Sequence, residues 1–191
     1  YKKEPVRLKI KQEQAVESQG QIHIYTGDGK GKTTAAIGLC VRAAGAGLKV
    51  AFIQFDKGSQ GEDFYSERKI LRTLSNVDVQ PTGKIRMMPD GQFRFNNSPS
   101  DFTEATRGLE IVRKAIESKK YDLIICDEIL SSIMTTLVKE EDVLDLISLF
   151  EKSGRQCDLV LTGRTLPKSI KEKASLVTEM KMIKHYFDKG L

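Results

Sequence analysis

Residues 22–34 read Ile22-His23-Ile24-Tyr25-Thr26-Gly27-Asp28-Gly29-Lys30-Gly31-Lys32-Thr33-Thr34. An apolar strand runs into a loop rich in glycine and lysine, and a helix-forming segment starts at Thr33. Gly27, Gly29 and Gly31 open backbone angles closed to other residues, so successive N–H groups can converge on oxyanions. The helix start adds the positive end of its dipole. In such a loop Lys32 reaches the phosphates and the Thr33 hydroxyl ligates Mg²⁺. Lys30 supplies a second cation, which suits a triphosphate. The strict G-x-x-x-x-G-K-[ST] pattern needs Gly at 26, and this chain has Thr26. The strand before and helix after are both present, which sets the segment apart from a glycine-rich surface turn.

A second stretch, Tyr121-Asp122-Leu123-Ile124-Ile125-Cys126-Asp127-Glu128, is an apolar strand ending in two carboxylates. In phosphate-loop proteins an acid at the end of a neighbouring strand holds Mg²⁺ directly or through water. Asp127 and Glu128 are therefore candidate metal ligands beside Thr33.

Working outward, apolar strands are expected at 21–25, 49–55, 77–79, 121–126, 158–164 and 176–183, and helices at 33–45, 140–152 and 167–174. Residues 61–74 are a further helical candidate. Ser98-Pro99-Ser100-Asp101 opens another helix, with Pro99 at its first position and Asp101 closing a capping box. Phe102, Ala105, Leu109, Val112 and Ile116 form its apolar face. This alternation predicts an α/β fold, a mostly parallel sheet with helices on both faces. The strand ends at 26–34, 56–58, 127–128 and 162–164 then meet at one edge, where functional loops of such sheets gather. Arg164 at that edge either neutralises a terminal phosphate or is a surface arginine after a turn. Residues 83–95 mix apolar, basic and aromatic side chains, as a ligand-facing loop or a local hairpin would. Residues 1–20 form a charged lead-in, an arm or an amphipathic helix.

The chain has 191 residues, suited to one domain over 21–191, and a net charge of +5. Lysines are interleaved with acids, as Lys168, Lys171 and Lys173 are with Glu172, which reads as a solvated surface and argues against nucleic acid. No run approaches a membrane span. Cys40, Cys126 and Cys157 are isolated, without a CxxC pair. With a charged start lacking a signal-peptide core, they predict a reducing, cytoplasmic setting.

The order of motifs is specific. It runs from the loop at 26–34 through Gln54-Phe55-Asp56-Lys57-Gly58, Cys126-Asp127-Glu128 and Leu161-Thr162-Gly163-Arg164. It ends in Val177-Thr178-Glu179-Met180 with Lys184-His185 and Phe187-Asp188-Lys189-Gly190. Over nearly its whole length the chain resembles the ATP:corrinoid adenosyltransferases of the CobA/CobO/BtuR type. The resemblance implies a P-loop NTPase fold of RecA-like type, a homodimer and a flavoprotein reductant. It implies transfer of the 5′-deoxyadenosyl group of ATP to Co(I) of cobalamin or another corrinoid, with triphosphate leaving and ATP held in the reversed direction along the loop. By matching position, Lys30, Lys32, Thr34, Arg164 and the loop amides bind triphosphate. Thr33 and Glu128, with Asp127 near, handle Mg²⁺, and Asp28 faces ribose or metal-bound water. Many members carry a Gly-Phe-Thr-Trp stretch at the lower corrin face. This chain has no Trp, and Phe93 and Phe95 are the candidates for that role. The lead-in at 1–20 is the candidate cover for the corrinoid. Two other functions are compatible with the loop alone: a P-loop ATPase or kinase releasing ADP, and a RecA-like binding module.

Overall fold

A computed structural model describes residues 19–58, 65–86, 92 and 94–186. The elements are β1 (Ile22–Thr26), α1 (Lys32–Gly45), β2 (Val50–Gln54), α2 (Glu67–Leu71), β3 (Val77–Pro81), α3 (Pro99–Ser118), β4 (Leu123–Asp127), α4 (Ile129–Met134), α5 (Glu140–Lys152), β5 (Asp158–Thr162), α6 (Lys168–Lys171) and β6 (Leu176–Glu179). The strands form one sheet in the order β3-β2-β4-β5-β1-β6. Every pairing is parallel, so the expected mostly parallel α/β sheet is observed.

The alternation of side chains along each strand divides the core into two faces. Ala51 and Ile53, Ile124 and Cys126, and Leu159 and Leu161 point to one face, where α3 and α5 contribute Val112, Ile116, Val143 and Phe150. Val50 and Phe52, Leu123 and Ile125, and Val160 point to the other, against Ala36, Cys40 and Ala43 of α1 and Leu71 of α2. Strands buried on both sides must read as continuous apolar runs, which β2 and β4 do.

Helix α3 starts as its sequence predicts, with Pro99 following the cap residue Ser98. The Asp101 carboxylate accepts from both the Ser98 amide and the Ser98 hydroxyl, each at 2.7 Å. Arg94 grips the same carboxylate at 2.7 and 2.9 Å and ties the preceding loop to the helix start. Ala105, Val112 and Ile116 are buried as expected, whereas Phe102 at the helix start is exposed to 44%.

Several boundaries differ from the sequence reading. Of the helical candidate at 61–74, residues 61–64 lie outside the described residues and Glu67–Leu71 is helical; the helix expected at 167–174 forms over Lys168–Lys171. The last strand stops at Glu179 rather than 183. Its partner β1 ends at Thr26, opposite Glu179, so no ladder remains for the following residues. The acid-ended strand is not adjacent to β1, because β5 lies between them. Helix α4 directly follows β4 and was absent from the expected elements. Residues 1–18 of the expected arm, and Phe93, lie outside the described residues.

Candidate functional site

The carboxyl ends of the strands frame a cleft of about 750 Å³ above the 27–34 loop. Asp28, Gly29, Lys30, Gly31, Lys32, Thr33 and Thr34 line it, with Glu128 and Arg164 opposite. Nine residues singled out in the sequence thus face one space. Gly27 and Asp127 stand directly behind this lining. Asp127 is fully buried. Phe95 is 82% exposed and does not belong to the cleft wall.

The loop depends on glycine at its two ends. Gly31 takes φ 123° just before α1, and Gly27 takes φ 101°, values strained for any side chain. A Cβ at Gly27 would also collide with the Met180 carbonyl oxygen. The first turn of α1 carries no acid, so its dipole is left for an anion.

Met180 belongs to a strap that follows β6. Its amide donates to Thr26 O at 2.8 Å, and its carbonyl accepts from the Gly29 amide at 2.8 Å. The strap continues to Met182, His185 and Tyr186, which close one side of the cleft. Lys30 Nζ donates to Tyr186 Oη at 2.7 Å, and the Tyr186 ring packs against His185 with centroids 4.6 Å apart. The sequence marked Lys184-His185 only as part of a family tail. The structure makes this segment a wall of the phosphate loop.

Lys32 is buried, and its ammonium donates to Gly27 O at 2.6 Å and Gly29 O at 2.8 Å. Burial lowers its pKa, while Glu128, Asp28 and Asp127 act in the opposite sense. A phosphate in the loop would supply the stronger, charge-assisted partner that the two carbonyls do not.

Behind the loop lies a buried polar cluster. Asp127 Oδ1 accepts from Thr33 Oγ1 at 3.0 Å and from Thr162 Oγ1 at 2.8 Å, and Oδ2 accepts from Lys57 Nζ at 2.7 Å. Thr162 stands at the end of β5 and bridges the gap that this strand makes between β1 and β4. Its hydroxyl also accepts from the Glu128 amide at 2.9 Å. Glu128 takes a left-handed φ of 64°, a conformation costly for a glutamate and concentrated at functional sites. With Asp127 turned inward, this kink leaves Glu128 on the cleft side.

The donors suit Mg²⁺. A hydroxyl at Thr33 and carboxylates at Asp127 and Glu128 are hard oxygens, and no group of three or more His, Cys, Asp or Glu poised for a metal occurs among the described residues. Mg²⁺ is usually held by one or two carboxylates together with phosphate oxygens and water, not by an all-protein cage. The residue that sequence reasoning missed is Lys57. Its loop was flagged by position, but nothing in the local pattern showed that its ammonium would enter the Thr33–Asp127 pair.

Among the described residues no helix is long and apolar enough to cross a membrane. The family model described as ATP:corrinoid adenosyltransferase BtuR/CobO/CobP matches residues 18–191. The chain is similar to the corrinoid adenosyltransferase of Escherichia coli K12, with 30% identity over 180 residues, covering 93% of this chain and 85% of that protein. It is similar to the corrinoid adenosyltransferase CobA of Salmonella typhimurium, with 29% identity over 97% of this chain and 88% of that protein. A Sinorhizobium corrinoid adenosyltransferase is 28% identical over 100% of this chain and 85% of its own length. Thr26 at the head of the loop, the Asp127–Glu128 pair and Arg164 thus sit in a chain that belongs to the ATP:corrinoid adenosyltransferase family.

Proposed function

We infer that this protein adenosylates a corrinoid from ATP, with the Co(I) state of the corrinoid as the attacking substrate and intact triphosphate as the leaving group. The family match supports the reaction. The observation that carries the finer reading is the convergence of Lys30, Lys32 and Arg164 with the glycine loop on one cleft. That cleft is built to stabilise a highly charged leaving group.

The electron pair of Co(I) forms the Co–C5′ bond while the C5′–O5′ bond breaks. The bonding pair departs with the triphosphate, and the cobalt ends as Co(III). Co(I) is itself a strong nucleophile, so the protein does not need to provide one; its work is positioning and charge neutralisation. Lys32 exchanges the Gly27 and Gly29 carbonyls for phosphate oxygens. Lys30 turns from Tyr186 to the same phosphates, and Arg164 binds the tail of the chain. Mg²⁺, when bound, neutralises part of the charge that develops on the departing oxygens. Thr33 and Glu128 are assigned to hold it, with Asp127 orienting Thr33 from behind. Asp28 faces the ribose or metal-bound water.

Phe93 and Phe95 are assigned to the lower corrin face, and residues 1–20 to a cover over the corrinoid. The assembly proposed is a homodimer served by a flavoprotein that reduces Co(II) to Co(I). These assignments rest on the family resemblance.

Phosphorus NMR of a completed reaction tests the reading. One tripolyphosphate per ATP consumed supports adenosyl transfer. ADP with inorganic phosphate or a phosphorylated acceptor would replace it with an ATPase or kinase.

A further inference from the structure

Lys57 is built into the molecule with unusual care. Its carbonyl accepts from the guanidinium of Arg68, a fully buried side chain that also bonds the Gln54 side chain. Its amide donates to Thr82 O at 2.9 Å. Asp56, just before it, takes a left-handed φ of 51° and is held there by Arg86 Nε at 2.8 and 2.9 Å. The backbone is thereby kinked at the end of β2, the strand paired with β4, with Gln54 opposite Asp127. The side chain then runs to the cleft floor, where Nζ donates to Thr33 Oγ1 at 3.0 Å and Asp127 Oδ2 at 2.7 Å. The Tyr65 ring lies 5.4 Å from the same nitrogen. The Lys57 side chain is 11% exposed and that of Asp127 is fully buried.

A buried ion pair by itself is weak evidence of function. Here, however, the ammonium bonds the very hydroxyl and carboxylate that a phosphate loop offers to its metal. Thr33 also lines the cleft, so Lys57 stands one hydrogen bond behind the space assigned to phosphate. The cluster holds two acids, Asp127 and Glu128, whose charge would repel a polyphosphate. Lys57 cancels the charge of Asp127 without any metal.

We propose that Lys57 is a positioning residue for the triphosphate: a resident cation that neutralises Asp127, orients the Thr33 hydroxyl and keeps the loop able to bind polyphosphate without Mg²⁺. This rests on the nucleotide reading of the cleft. It implies that Asp127 is already committed to Lys57, Thr33 and Thr162, and that the metal is held from the Glu128 side. Loss of the ammonium exposes the repulsion of Asp127, which only added metal can then relieve.

Calorimetric titration with inorganic tripolyphosphate, with EDTA and with saturating Mg²⁺, tests this on folded protein. Wild type binds in EDTA within about tenfold of its affinity with Mg²⁺. Lys57→Gln, which keeps a donor to Asp127 but no charge, loses on the order of tenfold in EDTA and recovers to within about threefold in Mg²⁺. Lys57→Arg, which keeps the charge, stays within about threefold of wild type in EDTA. Equal loss in both media for Lys57→Gln, no loss at all, or an Arg variant as weak as the Gln variant would overturn the proposal. The wild-type comparison stands even if Lys57→Gln does not fold: binding in EDTA more than a hundredfold weaker than in Mg²⁺ would also overturn it. Wild type that binds tripolyphosphate in neither medium would instead overturn the nucleotide reading beneath it.

Discussion

The Thr33 hydroxyl donates to Asp127 Oδ1 across 3.0 Å, joining the first turn of α1 to the end of β4. Strand β1, which leads through the loop into α1, is not a neighbour of β4. Strand β5 runs between them, and Thr162 at its end closes the gap with a 2.8 Å bond to the same carboxylate oxygen. The site is therefore assembled from the ends of β2, β4 and β5 and the first turn of α1, and the one buried carboxylate of Asp127 bonds Lys57, Thr162 and Thr33 from the other three.

Lys32→Ala removes the ammonium now seated on the Gly27 and Gly29 carbonyls. A charge-assisted phosphate contact contributes about 1.5–3 kcal/mol, so ATP affinity falls roughly 10- to 150-fold. Calorimetric titration measures this directly. A variant with wild-type affinity would remove Lys32 from the phosphate site.

Thr162→Val keeps the shape of a fully buried side chain but deprives the Glu128 amide and Asp127 Oδ1 of a partner. The expected cost is about 1–3 kcal/mol in urea unfolding, from buried groups left unsatisfied. Unchanged stability would mean that the β5 bridge is dispensable.

The Asp101 carboxyl is held well below the ordinary carboxylate range by the hydrogen bonds of Arg94, against burial, with further help from Ser98. A depressed folded pKa contributes stability that is fully present above the unfolded value, about 3.9, and is lost as pH falls through the folded value. Asp101→Asn should therefore cost on the order of 2 kcal/mol at pH 7, as the cap and ion pair go. The gap to wild type should narrow below about pH 4. Denaturation at a series of pH values checks this; a gap that stays constant down to pH 3 contradicts it.

Phe93→Ala and Phe95→Ala should leave ATP binding unchanged, since Phe95 is not part of the cleft wall. If these rings meet the lower corrin face, each variant is impaired when the reaction starts from a Co(II) corrinoid with its reductant. Each is close to wild type when it starts from chemically reduced Co(I). Equal rates from both starting states would exclude a role in displacing the axial ligand.

Much of this architecture is legible in the sequence because it is local. The glycine loop needs glycines wherever φ is positive, and doubly covered strands must be continuous apolar runs, so β1, β2, β4 and β5 declare themselves. Helix α4 does not, because Ile129-Leu130-Ser131-Ser132-Ile133-Met134 is too short to show a helical period. The apolar residues from Leu176 to Ile183 suggest one strand, yet the ladder ends where β1 ends, and the remainder becomes the strap over Gly27 and Gly29. Lys57 was equally hidden. Its direction is set by the left-handed turn at Asp56, which Arg86 enforces from a distant loop. A contact of that kind is tertiary and leaves no trace in the neighbouring residues.

The most direct measurement is anaerobic incubation of the protein with ATP, Mg²⁺ and chemically reduced cob(I)alamin, followed by visible spectroscopy and light exposure. A light-sensitive adenosylcobalamin spectrum with one tripolyphosphate released per turnover is the expected result. Cob(I)alamin that persists without a cobalt–carbon product while ADP accumulates would contradict it.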